Sequence, residues 1–335
     1  MEHMQHDAQI GTNSAVINSH CDLCWGSDSP VLVVAGPTAS GKTESAVLVA
    51  EKLGGEIISA DSMQIYRYMD VGTAKATQEE QSRVPHHLIN IRNPAESFSV
   101  AEYQALATEA IHDIQKRGKL AILCGGTGQY LCALMQGLIY SPAAVDPVLR
   151  QQLEREADEN GLESLWSHLR QSDPATAARL SPADRKRIIR AIEVQRQTGE
   201  PMSLHNARSH EAGPEFAFTG FCLTHDRPIL YQRIDQRVEL MFERGLIDEV
   251  RYLLTLNLPA GSTCLQAIGY KELLSSLQNG RSCDEAIATI QQASRRYAKR
   301  QLTWFRKMEN MTWLENMTPA EAAGVMSNRI LESKT

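Results

Sequence analysis

Residues 31–43 read VLVVAGPTASGKT, an apolar run followed by the full phosphate-binding pattern G-x-x-x-x-G-K-[ST]. The run predicts a buried parallel strand, and a helical pattern starts at Thr43. Between them, glycines let backbone N–H groups wrap an anion, and the helix N-terminus adds partial positive charge. Lys42 can neutralise phosphate oxygens, and the Thr43 hydroxyl suits Mg²⁺. The predicted diphosphate or triphosphate site comprises Gly36, Pro37, Thr38, Ala39, Ser40, Gly41, Lys42 and Thr43.

Strands and helices alternate after this segment. Residues 56–60 predict a second strand, the apolar run 120–124 predicts a third, and residues 100–116 predict a helix between them. This alternation is typical of a parallel sheet with crossover helices. From about residue 141 the pattern is purely helical, with helix starts expected at Asp173-Pro174 and at Ser181 as an N-cap. A further strand is predicted near residues 216–224, and helices follow it.

These patterns predict an α/β fold: a P-loop NTPase-like parallel sheet core with a helical insertion domain and a helical C-terminal region. Residues 1–29 are polar and are expected to form a flexible leader. Residues 30–140 and 210–335 are expected to form the P-loop core with its C-terminal helices. Residues 141–209 are expected to form the insertion.

The composition restricts the class of protein and its partners. The chain has 335 residues, 42% of them hydrophobic, and a net charge of −6, so any contact with nucleic acid needs a local concentration of basic residues. No apolar run is long enough to span a membrane, and the first 41 residues lack Lys and Arg, which argues against a secretory signal. Seven scattered cysteines suit free thiols in a reducing compartment, so we expect a cytoplasmic protein.

Two further segments are candidates for the site. Asp61 follows the second predicted strand, and such strand ends lie near the phosphate crevice of a doubly wound sheet. The alternative for Asp61 is a turn or N-cap role. The sequence Gly125-Gly126-Thr127-Gly128 follows the third strand, where Thr127 either contacts a ligand or belongs to a simple turn. No acid closes that third strand, although kinases and NTPases normally place one there to hold Mg²⁺.

Basic residues cluster near the C-terminus. Residues 295–307 contain six basic residues, three aromatic residues and no acid, which suits RNA phosphates. Helical spacing places Arg295, Lys299 and Arg306 near one face, whereas Trp304 and Phe305 can equally be core residues. A second basic segment, residues 185–190, lies in the insertion, and its isoleucines are expected to face that domain's core.

In its motifs and their order, the chain resembles the tRNA dimethylallyltransferases, also called tRNA isopentenyltransferases. The matching segments occur in family order and cover almost everything from residue 31 to about 314. They are GPTASGKT at 36–43, DSMQIY at 61–66, GTAK at 72–75, PHHLI at 85–89, FSVAEY at 98–103, GGTGQYL at 125–131, RKRIIRAIEV at 185–194, AIGYKE at 267–272 and AKRQLTWFRK at 298–307. The zinc-finger tail of eukaryotic members is lacking, so we expect the bacterial type.

The resemblance implies a reaction and its residues. The P-loop would bind dimethylallyl diphosphate with Mg²⁺, and the acceptor would be N6 of the adenosine on the 3′ side of the anticodon. Asp61 matches the family's general base and Thr127 the threonine of its GGTG motif. Either Arg233 or Arg237 matches an arginine that contacts diphosphate. We expect a monomer that binds the anticodon stem-loop of tRNA, around which the insertion closes.

The resemblance also implies a set of tRNA-contacting residues. They are Asp61, Ser62, Met63, Gln64, Thr127, Arg150, Arg185, Lys186, Arg187, Ile188, Ile189, Leu265, Gln266, Ala267, Ile268, Gly269, Tyr270, Lys299, Arg300, Gln301, Leu302, Thr303, Trp304, Phe305 and Arg306. Two alternative functions remain open from the sequence: a P-loop kinase that uses ATP, and a non-catalytic RNA-binding protein in which the P-loop is a nucleotide switch.

Overall fold

A parallel six-stranded sheet forms the centre of the protein. The computed structural model describes residues 24–138, 146–211, 213–259, 261–280 and 282–333. The strands are β1 (Val31–Ala35), β2 (Gly55–Ser59), β3 (His86–His87), β4 (Leu120–Gly125), β5 (Phe218–Thr224) and β6 (Met311–Glu315). Their order across the sheet is β3-β2-β4-β1-β5-β6, and all neighbours are parallel. The carboxyl ends of β1, β2 and β4 therefore meet at one edge, where open α/β sheets bind ligands.

Helices cover both faces of this sheet. In chain order they are α1 (Lys42–Leu53), α2 (Gln78–Arg83), α3 (Val100–Lys116), α4 (Gly128–Met135), α5 (Pro147–Glu159), α6 (Leu162–Ser172), α7 (Pro174–Ala177), α8 (Arg185–Thr198), α9 (Met202–Glu211), α10 (Arg227–Glu243), α11 (Leu246–Thr255), α12 (Tyr270–Gln278), α13 (Cys283–Phe305) and α14 (Pro319–Glu332). Helices α1 and α14 cover one face, whereas α3 and α4 cover the other. Strands β1, β2 and β4 are buried throughout, as expected for the central strands of a parallel sheet with both faces covered.

Trp25 attaches the segment before β1 to the core. Its side chain is fully buried. The indole Nε1 donates to Leu53 O at 2.8 Å, and the backbone N–H of Trp25 donates to Gly118 O at 3.0 Å. The prediction of a flexible leader is therefore wrong for this part of residues 1–29. Polar residues dominate the segment, so its composition did not indicate that one large aromatic side chain is buried. Residues 1–23 lie outside the described residues.

Helices α5–α9 surround an apolar cluster of their own. Its fully buried members include Leu153, Leu165, Leu169, Ile188, Ile189 and Ile192. The helix start predicted at Asp173-Pro174 is confirmed, since the Asp173 carboxylate accepts the Thr176 N–H. The N-cap of α8 is Asp184 and not the predicted Ser181. The predicted entry to the insertion at residue 141 lies outside the described residues.

Helices α10–α13 form the C-terminal region together with a 3₁₀ turn at Thr263–Gln266. They share an apolar cluster with Ile65, Tyr66 and Met69, which belong to the loop after β2. The C-terminal helices therefore fix the position of this loop, which begins with Asp61 at the edge of the sheet. No helix in the described parts of the chain is long and apolar enough to cross a membrane.

Candidate active site

The loop between β1 and α1 has the geometry of an anion cradle. Gly36 and Gly41 have φ of 152° and 91°. A Cβ on Gly36 would lie 2.5 Å from Leu223 O, so the loop needs glycine to pack against the end of β5. No side chain caps the N-terminus of α1. The buried Ser40 Oγ has no hydrogen-bond partner among the described residues. These unpaired groups are available to an anion.

Two cations face this loop. Burial lowers the pKa of Lys42, and the nearby positive charge of Arg237 lowers it further. Burial likewise lowers the pKa of Arg237. Among the described residues, Lys42 Nζ donates only to a backbone carbonyl, Pro37 O at 3.2 Å. Two adjacent, partly desolvated cations are costly unless an anion compensates them, so the pair marks an anion site.

Helix α10 carries both candidate arginines to the cavity in front of the P-loop. Arg233 Nε donates to Ala39 O at 2.9 Å and so supports the loop. Arg237 has neither a hydrogen bond nor an ion pair among the described residues, which leaves its guanidinium available for a ligand. The cavity has a volume of about 900 Å³, and Lys42 and Thr43 also line it. This volume is within the usual range for small-molecule sites.

The two other predicted site segments meet at the ends of β2 and β4. Asp61 Oδ1 accepts the Met63 N–H at 2.9 Å, and Thr127 Oγ1 accepts the Ser62 N–H at 3.0 Å. Gln64 is held in the same loop, because its Oε1 accepts the Ser59 hydroxyl at 2.9 Å. Asp61 and Thr127 therefore lie on adjoining loops, and their roles in one site stay a prediction.

The GGTG segment approaches its neighbours too closely for larger side chains. A Cβ on Gly125 would lie 2.1 Å from Ala60 O, and one on Gly128 would lie 2.2 Å from Trp304 Cδ1. The glycines therefore let β2 and α13 pack directly against this turn. Both the acid-bearing loop and the basic helix are fixed relative to Thr127.

The predicted RNA-contacting residues of helix α13 lie on two sides, one exposed and one buried. Lys299, Arg300, Thr303, Trp304 and Arg306 are exposed, and Leu302 is half-buried. Gln301 and Phe305 are buried, and Phe305 packs in the core against the sheet, which is one of the two alternatives that the sequence left open for it.

Arg295 also departs from its expected role on the basic face. Its guanidinium pairs with Asp235 of α10. A carboxylate already neutralises this arginine, so it is less suited to an RNA phosphate than the exposed Lys299.

Most cations of the insertion's basic patch are already paired. Arg150 and Arg190 both contact the buried carboxylate of Glu193. Arg185 pairs with Glu154 and Asp158 on α5.

The apolar and exposed members of this patch differ in their surroundings. Ile188 and Ile189 are fully buried in the apolar cluster of the insertion, as the sequence led us to expect for their side chains, and their contact with tRNA stays a prediction. Lys186 is exposed, and Arg187 is exposed but lies 3.3 Å from Asp184.

The segment 265–270 is mainly a packing element. Tyr270 is fully buried and Ala267 nearly so, so their side chains pack in the core, and the contact of this segment with tRNA stays a prediction. Leu265 and Ile268 pack against the same cluster. Gln266 is exposed, and Gly269, with φ of 95°, is the N-cap of α12.

Two residues that position the site were not predicted from the sequence. The Glu249 carboxylate accepts the backbone N–H groups of Asp70, Val71 and Gly72, and Tyr270 O–H also donates to it. Lys75 Nζ is buried and donates to Tyr66 O and to the side chains of Asp70 and Asn90. Lys75 belongs to the GTAK segment, whose match could have indicated a role. Glu249 has no local signal.

The fold and this site define a protein of the P-loop class, with a cavity lined by the P-loop beside an acid-bearing loop. A family model described as IPP transferase matches residues 64–308. This chain therefore belongs to the IPP transferase family. The tRNA dimethylallyltransferase of Acetivibrio thermocellus is 47% identical over 284 residues, which cover 85% of this chain and 91% of that protein. The tRNA dimethylallyltransferase 1 of Trichlorobacter lovleyi is 48% identical, with coverage of 85% and 93%.

Solved structures agree with this assignment. The full-length tRNA isopentenylpyrophosphate transferase of Bacillus halodurans matches with a TM-score of 0.67 and 40% identity, over 91% of this chain and 98% of that chain. A eukaryotic dimethylallyltransferase, captured acting on tRNA, matches with a TM-score of 0.79 and 27% identity, over 91% and 80% of the two chains. The expected α/β fold is confirmed.

Proposed function

We propose that this chain transfers the dimethylallyl group of dimethylallyl diphosphate to N6 of the adenosine on the 3′ side of a tRNA anticodon. The observation that carries this proposal is the placement of the acid beside the two cations. Burial lowers the pKa of Lys42 and of Arg237. The Asp61 carboxylate lies close enough to both to oppose this effect, although the net direction stays downward. An anion site and a proton acceptor therefore adjoin one another.

The cationic side of the site suits the leaving diphosphate. As the allylic carbon–oxygen bond breaks, negative charge grows on the bridging oxygen. Lys42, Arg237 and the N-terminal amides of α1 are fixed donors there, and they stabilise the transition state more than the ground state. Arg233 donates its Nε–H to Ala39 O and lines the same cavity as Arg237, so either arginine can contact the diphosphate.

The acidic side suits the acceptor. The adenine N6 amine is a poor nucleophile, because its lone pair is delocalised into the purine. Met63 N–H holds one oxygen of Asp61, which leaves the other oxygen to take the N6 proton as the carbon–nitrogen bond forms. The adenine has to leave its stack to reach this position, so base flipping is part of the proposal.

Magnesium fits the donor set of the cavity. Mg²⁺ in phosphate sites takes one or two protein oxygens and fills its shell with substrate phosphates and waters. Thr43 supplies a hydroxyl at the start of α1, and no cluster of three or more His, Cys, Asp or Glu ligands occurs among the described residues. We therefore propose that Thr43 holds Mg²⁺ together with the donor, where the ion supplies positive charge to the diphosphate.

An in vitro transfer assay tests this function. Purified protein is incubated with labelled dimethylallyl diphosphate and an anticodon stem-loop RNA, and the modified nucleoside is identified by mass spectrometry. We expect label on N6 of the target adenosine and no label on a matched RNA with guanosine at that position. A parallel incubation contains ATP as well, and consumption of ATP without transfer of label would support the kinase alternative and contradict the proposal.

A further inference from the structure

Gln301 connects the two loops that form the site. It lies on α13 and is only 5% exposed. Its Oε1 accepts the N–H of Thr38 in the P-loop at 3.0 Å, and its Nε2 donates to Gly126 O at 2.9 Å. One side chain of the C-terminal region therefore bridges the donor-binding loop and the turn that carries Thr127.

The bridge requires an amide. The P-loop offers an N–H and the GGTG turn offers a carbonyl, so the bridging group has to accept on one side and donate on the other. The turn is also shaped around this group, because a Cβ on Gly126 would lie 2.3 Å from Gln301 Nε2. Gly126 does not lie in the left-handed region, so a Cβ there would be opposed by the Gln301 amide, which would have to move, and not by backbone strain.

The same helix carries exposed basic residues. Lys299 and Arg300 are exposed immediately before Gln301, and Trp304, one turn further on, packs against Gly128. Helix α13 therefore holds the GGTG turn through two side chains while it presents cations to solvent. A displacement of α13 would move both loops of the site.

We propose that Gln301 is a positioning residue that sets the separation between the P-loop and the Thr127 turn and links this separation to RNA bound on α13. The inference rests on the proposed function. It assigns Gln301 to the placement of the diphosphate relative to Asp61 and not to tRNA affinity. Misplacement of reacting groups by about 1 Å costs roughly 100-fold in rate, whereas lost RNA contacts raise the dissociation constant.

The first test compares Gln301→Met with Gln291→Met. Methionine has a similar length but can form neither bridge bond. Gln291 lies on the same helix and donates to Asp235 O at 3.3 Å, away from the P-loop, which makes it a matched control. We expect Gln301→Met to slow single-turnover transfer by about 100-fold at saturating donor and RNA, with RNA affinity unchanged. Gln291→Met should retain the wild-type rate.

A double-mutant cycle provides the second test. Gly126→Ala should slow transfer in the wild-type background, where its Cβ meets the Gln301 amide, but not further in a Gln301→Ala background. Additive losses would contradict the bridge. Weaker RNA binding by Gln301→Met, with a normal rate at saturating RNA, would make Gln301 an RNA contact and overturn the inference. Wild-type protein without transfer activity would contradict the proposed function itself, which separates the two failures.

Discussion

Lys42 and Arg237 repel each other across a partly desolvated cavity, and a diphosphate relieves this repulsion. Lys42→Met should therefore weaken donor binding by roughly 10- to 100-fold, as the loss of a charge-assisted contact does. Lys52→Met provides a matched control, because Lys52 is exposed at the far end of the same helix. Isothermal titration with a non-reactive donor analogue measures the effect. Equal affinities of the Lys42→Met variant and the control would contradict the diphosphate assignment.

Asp61 can be tested without disturbing its turn. In Asp61→Asn the amide oxygen can still accept the Met63 N–H, so the loop should keep its conformation while the proton acceptor is lost. We expect the single-turnover rate to fall by roughly 10²- to 10⁴-fold, the usual contribution of a general base, with donor affinity unchanged. Rapid-quench measurements of transfer provide the rate. A wild-type rate would exclude Asp61 as the base.

Individual residues could be predicted from the sequence where their role depends on neighbouring residues. Each position of the P-loop and the acid after β2 are recognisable, because their chemistry is encoded in neighbouring residues. Gln301, Tyr270 and Glu249 could not be placed in this way. Their roles depend on contacts with residues more than twenty, and up to 263, positions away. The basic stretch around Gln301 indicated an RNA surface, and only the fold shows that this amide points inward.

At the element scale, the buried central strands were predictable from apolar runs, but β3 and β6 were not. Strand β3 has two residues, and β6 is only partly buried at the sheet edge. Neither gives a pattern that can be distinguished from a loop. The N-cap of α8 was misplaced because Ser181 and Asp184 both suit a cap, and only the backbone conformation distinguishes them.

Strand β2 carries a buried acid at the end of the sheet opposite the site. Glu56 accepts from Arg117 at 2.5 and 2.8 Å, from Lys119 at 2.6 Å, and contacts His87 at 2.7 Å. These partners, Arg117 foremost, lower the pKa of Glu56 from 4.5 to about 2. Because the folded pKa is depressed, the stabilisation is present above pH 4.5 and is lost as the pH falls towards 2.

Glu56→Gln should therefore lower the free energy of unfolding at pH 7 by about 3 kcal/mol, as expected when a buried ion pair is broken. The variant should also lose less stability than the wild type between pH 4.5 and 3. Urea unfolding at several pH values measures both effects. Glu109→Gln is the matched control, since Glu109 is exposed on α3 and has no ion pair with any described residue. Parallel pH curves for Glu56→Gln and the wild type would disprove this account.

Helix α13 predicts a salt dependence of RNA binding. Among the described residues, Lys299 and Arg300 are exposed and have no carboxylate within ion-pair distance, whereas Arg295 is paired with Asp235. Lys299→Gln or Arg300→Gln should reduce the slope of log affinity against log salt by about 1 each. Arg295→Gln should change the slope less. Fluorescence anisotropy with a labelled stem-loop at several salt concentrations provides the slopes. A slope that all three substitutions leave unchanged would contradict phosphate binding by this helix.

At the scale of the whole molecule, two connections join the insertion to the sheet core, and they touch each other. Gly137 and Gly213 have φ of 62° and 67°, and a Cβ on Gly137 would lie 1.8 Å from Gly213 O. Paired glycines at the base of a group with its own apolar core suit a hinge. The division of the chain into core and insertion at residues 141–209 stays a prediction. A hinge at its base predicts that the insertion can move relative to the core, which can be measured.

The insertion should move towards the core when tRNA binds. Its closure would hold the extruded adenosine and exclude water, which otherwise competes with N6 for the electrophilic allylic carbon. Spin labels can be placed on an introduced cysteine at an exposed position of α6, Gln171→Cys, and on the native exposed Cys283 of α13, with Cys21, Cys24 and the partly exposed Cys132 replaced by serine. We expect pulsed electron-spin distances between the labels to shorten with saturating stem-loop RNA.

Alanine at both Gly137 and Gly213 should reduce this change, because both backbones occupy the left-handed region. A distance unchanged by saturating RNA would refute closure of the insertion, and it would leave the assignments of the P-loop and Asp61 intact, since neither depends on movement.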